Sequence, residues 1–565
     1  MMHPKTVHQR RDELQLIDVC EHEELADGRI AAAMYIPMNE ISSRLEQIDR
    51  DRTVVVVCRS GRRSEQVADY LNQSGFTAHS LTGGIQQWAE DGLPLRLTAR
   101  PFQSDIPLPG TEGIMIHIET IETSSLGDRS YLATDGHIAV AVDPQRDIDR
   151  VLDLLSARGI RLTHVVETHV HNDYVTGGLD LARRTGADYV LPADSGVAFK
   201  HVAVADGDAI ETGELRLRTL HTPGHTHHHA SYVLESTDGD VRGVFTGGSM
   251  LYGTTGRTDL VGPEHTTELT HAQFHSVQRL ARELPGETEV LPTHGFGSFC
   301  SATPSDTDAS TVGMQAKVNP ALTLAEQDYV DELIAGLDAY PAYYARMSPA
   351  NRRGPAPVDL SLPQPVDPGE LRRRIEAGEW VVDLRERTAF AAGHLAGSLA
   401  FELADPFVTY LGWLYSYGSP LTLIGDTEQQ VADARRELVR IGIDDLAGAA
   451  IGNIADLADG QPLQSYPVTD FAGLAEAMAS GDVQVLDARL DGEREAGHVR
   501  SSQHIPLHSL AERIDEVPTG EVWVYCGSGY RAAIAASVLE GPERQLVLVN
   551  DTYDNASAAG LEDSE

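Results

Sequence analysis

The chain has 565 residues, 41% of them hydrophobic, with 85 Asp and Glu against 44 Lys and Arg and a formal net charge of −41. That length allows three or four domains, each with its own core. So acidic a surface excludes broad binding to nucleic acid or anionic membranes, and no apolar run reaches the length of a membrane span. Lys5, Lys200 and Lys317 are the only lysines, so arginine carries the positive charge, a pattern that suggests a salt-tolerant or high-GC source. Cys20, Cys58, Cys300 and Cys526 form no CxxC pair, which favours free or catalytic thiols over a disulfide framework. The opening "MMHPKTVHQRRDELQL" lacks the apolar stretch of a signal peptide, and the expected compartment is the cytoplasm.

In chain order, the first segment, residues 1–98, reads as a strand ending at Asp18 and a second, "VVVVC", ending at Cys58. A helix follows, with Val67 and Leu71 on its buried face and Gly75 at its stop. "CRSGRRS" therefore places Cys58 between a buried strand and a helix start. Backbone N–H groups converge there, and Arg59, Gly61, Arg62 and Arg63 suit a thiosulfate oxyanion or the terminal sulfur of a persulfide. Such surroundings favour the thiolate. The plainer reading of one strand-end cysteine is a small buried hydrophobe.

The second segment, residues 110–350, carries histidines in four stretches: "THVHNDYVTGG", "HTPGHTHHHASY", "FTGGSMLYGTTGRTDL" and "LPTHGFGSFC". His169, His171 and Asp173 alternate after an apolar run, as ligands do on a strand-end loop, but the next position holds Tyr174. Imidazoles with a carboxylate suit Zn or non-haem Fe with a position open to substrate. Residues 97–112 and 345–366 read as loose, and the second, rich in Pro and Gly, is expected to be an inter-domain linker.

The third segment, residues 363–462, and the fourth, 465–556, repeat the first: strands ending at Asp383 and Asp487, then a second strand, a short loop and a helix. In the fourth, "CGSGYRA" brings Cys526, Gly527, Gly529 and Arg531 into the same arrangement, and Ile534 and Val538 keep helical spacing. In the third, Gly425 stands at the cysteine position and "GDTEQQ" puts acid where an anion would sit, so this copy is expected to be inert.

These three units resemble rhodanese domains, the sulfurtransferase fold. The histidine-bearing segment resembles the metallo-β-lactamase fold, and more closely its persulfide dioxygenase branch. The resemblance implies an α/β multidomain chain: a metallo-β-lactamase αββα sandwich with three rhodanese-like parallel-sheet α/β domains. It implies sulfur relay through Cys58 and Cys526, one Fe or Zn ion on His169, His171 and His225, and additional or supporting roles for Asp173, His228 and His294. Two departures stand out. Tyr174 replaces a second-metal histidine, and Gly248 replaces the usual aspartate ligand, for which the run His227, His228 and His229 offers a substitute. Three functions follow as expectations: a sulfurtransferase coupled to a persulfide dioxygenase, a zinc thioester hydrolase of the glyoxalase II type, or a sulfur carrier around an inert scaffold. The expected partners are a small thiol persulfide or thiosulfate, with no nucleic acid and no membrane; a homo-oligomer is compatible with the sequence.

Overall fold

The computed structural model describes the chain except residues 1, 11–13, 20–28, 31–32, 37–40, 42–47, 49, 51, 59–61, 74, 91–94, 97–115, 238, 303–308, 482 and 563–565. Cys20, Arg59 and Gly61 thus lie outside the described residues, as does the side chain of Arg62. One compact unit comprises Met1–Asp105 with Ile118–Thr120; the other holds the rest of the chain. No helix among the described residues is long and apolar enough to cross a membrane.

The first unit contains a four-stranded parallel sheet in the order Met34–Tyr35, Leu14–Asp18, Thr53–Val57, Ala78–Ser80. "TVVVV" is β-branched and buried after its first residue, as a central parallel strand covered on both faces requires. Helix Arg62–Gln73 follows, with Val67 and Leu71 in the core.

In the second unit, two six-stranded sheets lie side by side in sequence. The first runs through Asp188–Pro192, Arg161–Val166, Ile138–Val142 and Asp128–Thr134; the second through Leu215–His221, Ala230–Ser236, Val241–Gly247 and Glu289–Pro292. Two further parallel sheets follow. One is ordered Leu399–Ala400, Trp380–Asp383, Leu421–Gly425, Gly448–Ile451. The other is ordered Gln503–His504, Gln484–Asp487, Gly520–Tyr525, Arg544–Val549, with Val468–Thr469 at its far edge. Both repeat the strand order of the first unit. In both, the Asp that ends the second strand grips an arginine two residues on: Arg385 Nη2 is 2.6 Å from Asp383, and Arg489 Nη2 is 2.9 Å from Asp487.

The segment from residue 345 is not the expected linker at its start. Tyr344–Arg353 is a helix with Pro349 inside it, and it packs Tyr344, Met347 and Asn351 inward. A proline in the sixth position of ten costs one helical hydrogen bond, and the buried face outweighs that loss.

One hydrophobic cluster joins Tyr174, Cys300 and Tyr344 to Phe407, Leu411, Ile441, Cys526 and Tyr530, so a continuous core runs through the second unit. Charges lock the same junction. Arg440 Nη2 is 2.7 Å from Asp147, with the two side chains 5% and 0% exposed, and Arg436 and Arg150 also reach this carboxylate. The Arg440 carbonyl accepts the Val175 N–H at 2.7 Å, immediately after the histidine loop. Asp147→Asn leaves buried guanidinium charge uncompensated and is expected to destabilise this unit by about 3–5 kcal/mol. An unchanged urea midpoint would show the pair to be idle.

Candidate functional site

Both cysteines sit where a buried strand meets a helix. Cys58 directly follows Thr53–Val57, and its Sγ accepts the Ser64 N–H at 3.3 Å, from the first turn of helix Arg62–Gln73. Arg63 is half-buried. Cys526 follows Gly520–Tyr525, and its Sγ accepts the Gly529 N–H at 3.2 Å. Gly529 has φ +88, and a Cβ there would lie 2.1 Å from Asn550 Oδ1, so only glycine lets the loop close on the sulfur. Arg531 stands beside the cysteine loop, but its charge is already engaged. Its guanidinium pairs with both carboxylate oxygens of Glu493, beside Gly527. Tyr410 and Trp413, from helix Phe407–Leu414, help wall the crevice next to it, whose volume is only about 10 Å³.

In the third segment the corresponding loop is filled in. A Cβ on Gly425 would lie 3.0 Å from Val431 and 3.1 Å from Gln430 Oε1. Gln430 Oε1 takes the Asp426 N–H that an anion would need, and its Nε2 donates to the Leu384 carbonyl.

The histidines converge at the ends of strands from both six-stranded sheets. His169 and His171 follow Arg161–Val166, His225 precedes Ala230–Ser236, and His294 follows Glu289–Pro292. Ligand atoms of His169, His225 and His294 lie within 4.8 Å of one another, all buried. Their hydrogen bonds fix the tautomers. His225 Nδ1 must donate to the Arg257 carbonyl, 2.8 Å away. His294 Nδ1 donates to Asp128 at 2.9 Å, with Asp173 at 3.3 Å. Thr168 donates its hydroxyl to Asp143 and so accepts from His169 Nδ1 at 2.9 Å. In its neutral form each ring therefore aims an Nε2 lone pair inward, the arrangement outer partners impose on metal-bound histidines. His169 and His294 Nε2 are 3.4 Å apart, and about 3.4 Å separates two ligands of a tetrahedral ion with bonds of about 2.1 Å. His225 Nε2 is buried with no hydrogen-bond partner. This donor set fits one metal ion.

His171, expected in the set, stands beside it, its ring centroid 4.1 Å from that of His169. His171 Nε2 lies 3.0 Å from Glu167 and 3.2 Å from Asp143. Burial pushes its imidazole down, but these carboxylates outweigh burial and raise it to about 10; they hold the Nε2 proton, while Nδ1 is buried with no hydrogen-bond partner, as His225 Nε2 is, and is left open to the same ion. His171 falls into two other groups of ligand atoms, one with Asp173 and His294 and one with Asp143 and Glu167. Burial and the neighbouring His294 hold His225 down at about 3, and burial with the other histidines holds His169 well down. His294 is pushed well up by Asp173 and Asp128 against its burial. A bound metal takes the place of that proton.

Tyr174 accounts for the missing second position. Its ring stacks on His171 at 4.3 Å and its hydroxyl lies 3.0 Å from His171 Nε2. At Gly248 a Cβ would lie 2.3 Å from the His225 ring, so that ring fills the space of the absent side chain. The histidine run does not replace it. His229 Nε2 accepts the Gly248 N–H at 3.0 Å, while His227 and His228 line a cavity and join none of the three ligand groups. This cavity, of about 640 Å³, is also lined by Asn172, Thr226, Tyr340, Tyr344 and Arg352. Asp259 ties its loop through both carboxylate oxygens to Arg257. Cys300 is fully buried, and burial with Asp173 and Asp128 pushes its thiol well up.

Sequence reasoning missed Asp128, the Arg257 carbonyl and Asn351, which donates to the His171 and Tyr174 carbonyls and accepts the Thr176 N–H. No spacing rule marks the first two. The GRTD stretch was the only local hint, and Asn351 was hidden in a segment read as linker.

A model of the rhodanese-like domain matches residues 3–91 and 471–555, and one of the metallo-beta-lactamase superfamily matches residues 130–295. The mitochondrial persulfide dioxygenase ETHE1 of Homo sapiens is 32% identical over 210 residues, 37% of this chain and 74% of that protein. A sulfurtransferase of Allochromatium vinosum is 42% identical over 85 residues, 15% of this chain and 79% of that protein. Among solved structures, a metallo-beta-lactamase from Staphylococcus aureus aligns with TM-score 0.54 and 26% identity, covering 60% of this chain and 99% of that one. With its histidine-bearing domain matched over most of a persulfide dioxygenase and its cysteine loops inside rhodanese matches, the chain belongs to the persulfide dioxygenase family of the metallo-beta-lactamase superfamily, joined to rhodanese-like domains.

Proposed function

We propose that this chain is a sulfur-trafficking enzyme: Cys58 and Cys526 carry sulfane sulfur as persulfides, and one metal ion serves the oxidation of a small thiol persulfide to sulfite by O2. The observation that carries this reading is the inward convergence of three Nε2 lone pairs in a chain that also holds two strand-end thiols. In this assignment residues 1–98 and 465–556 move sulfur, 110–350 oxidise it, and 363–462 brace 110–350 and 465–556 through the shared core. The described cysteines are free, as suits a reducing compartment, and the proposal places the chain in the cytoplasm.

Each cysteine thiolate attacks the outer sulfur of thiosulfate. The S–S bond breaks, sulfite leaves with the electron pair, and a cysteine persulfide remains. A thiol's thiolate then takes that outer sulfur and the cysteine leaves as thiolate. In the oxidation, one thiol persulfide, one O2 and one water give the thiol, sulfite and two protons. Iron, when bound, supplies the O2 chemistry, since imidazole ligands suit it. Arg352 offers positive charge to an anionic substrate in the large cavity, and His228, whose burial holds it neutral, walls it with Tyr340 and Tyr344. Asp128 and Asp173 hold the Nδ1 proton of His294 and so keep its Nε2 turned inward.

The thioester hydrolase reading is weaker, because Tyr174 and Gly248 stand where a second metal would need ligands. Purified protein given glutathione persulfide is expected to consume O2 and release sulfite in equal amounts. Hydrolysis of S-lactoylglutathione without O2 uptake would point to the hydrolase instead.

A further inference from the structure

We propose that Asn351 is a positioning residue of the metal centre: its side-chain amide clamps the turn that carries His171 and Asp173, from a helix outside the metallo-beta-lactamase match of residues 130–295. This rests on the single-metal site proposed above.

The turn has no regular structure to hold it. Between strand Arg161–Val166 and helix Gly178–Thr185 the chain forms neither helix nor strand. His171, Asp173, Tyr174, Val175 and Thr176 are all buried, so their backbone N–H and C=O groups need partners within the protein. Asn351 satisfies three of these groups. Its Nδ2 donates to the His171 carbonyl at 3.0 Å and to the Tyr174 carbonyl at 2.8 Å, and its Oδ1 accepts the Thr176 N–H at 3.0 Å. The Arg440 carbonyl takes a fourth, the Val175 N–H, at 2.7 Å. Two carbonyls face Nδ2 and one N–H faces Oδ1, so the amide has a single orientation. Neither Asp nor Leu, of similar size, offers the same set of donors and acceptor.

The clamp is itself fixed. Asn351 lies on the face of helix Tyr344–Arg353 that also buries Tyr344 and Met347. The Ala198 N–H donates to the Arg352 carbonyl at 2.8 Å. Gly354 ends the helix with φ +87, and a Cβ there would lie 2.9 Å from Phe199. The helix end is thus pressed against the stretch that follows strand Asp188–Pro192. What the clamp sets is the place of the open His171 Nδ1 and of Asp173, whose carboxylate lies 3.3 Å from His294 Nδ1. Partners that orient metal ligands from outside are worth about ten- to a hundredfold in metal affinity.

Two measurements on the full-length chain test this. In the metal-free parent the Thr176 amide hydrogen is expected to exchange as slowly as the core of helix Tyr344–Arg353, because the clamp needs no ion. Exchange more than about a hundredfold faster than that helix overturns the proposal. Cobalt(II) then serves as the probe ion, read by its visible absorption. Asn351→Leu keeps the volume and removes all three bonds; it is expected to weaken cobalt(II) binding by about tenfold and to change the shape of the absorption band. Leu333→Ala opens the same domain's core in a cluster that does not contain the turn. It is expected to leave the band unchanged and the affinity within about twofold of the parent, as a change remote from the ligands does. Unchanged affinity and band in Asn351→Leu overturn the proposal, as does an equal loss in Leu333→Ala. Should Asn351→Leu not fold, the exchange measurement on the parent decides. A parent whose Thr176 amide is protected but which binds no cobalt(II) overturns the metal reading of the site instead.

Discussion

His294→Ala is expected to strip the metal from the protein, lowering the bound ion by at least about tenfold, the scale on which ligand-shell changes act. In the set read from resemblance, His171 completes the first metal position, and His294 with Asp173 has an additional or supporting role. The structure brings His294 to the set, its Nε2 3.4 Å from His169 Nε2, with Asp128 and Asp173 fixing the ring. Glu167 and Asp143 hold the Nε2 proton of His171 and leave its buried Nδ1 unpartnered. His171→Asn in the same measurement is expected to lower the bound metal as well. Retained metal in His294→Ala together with loss in His171→Asn would restore the ligand set expected from the sequence.

Replacing both Cys58 and Cys526 by serine is expected to reduce thiosulfate:cyanide sulfurtransfer by more than about a hundredfold, because the thiolate is the attacking group and a serine hydroxyl stays protonated. Cys300 remains in that variant and is expected to contribute nothing. It is fully buried, and burial with the nearby Asp173 and Asp128 keeps its thiol protonated. Of the single variants, Cys58→Ser is expected to cost more. The crevice beside Cys526 is about 10 Å³, room for roughly one water, and is narrowed by Tyr410, Trp413 and the Arg531–Glu493 pair. Steady-state rates of the three variants check this, and substantial transfer by the double variant would require another sulfur carrier.

What could be read from the sequence was what depends on neighbours along the chain. The strand–cysteine–helix loops were legible because a parallel strand, a turn and a helix entry occupy one continuous stretch, as at Cys526, Gly529 and the helix Tyr530–Leu539. The place of His294 beside His169 and His225 was not, because Asp128, which fixes it, arrives from a separate strand end. Arg531 was assigned to an anion because nothing local announces Glu493, 38 residues away. The helix Tyr344–Arg353 was lost for the opposite reason: Pro349 and the Pro- and Gly-rich run beyond it outweighed the buried stripe of Tyr344, Met347 and Asn351.

The most direct test of a single-metal persulfide dioxygenase is elemental analysis of the untagged protein, purified anaerobically without chelator, beside its His169→Ala variant. The account predicts iron near one equivalent per chain, lost in the variant. Two metal ions per chain, or zinc alone with no iron-dependent O2 uptake, would contradict it.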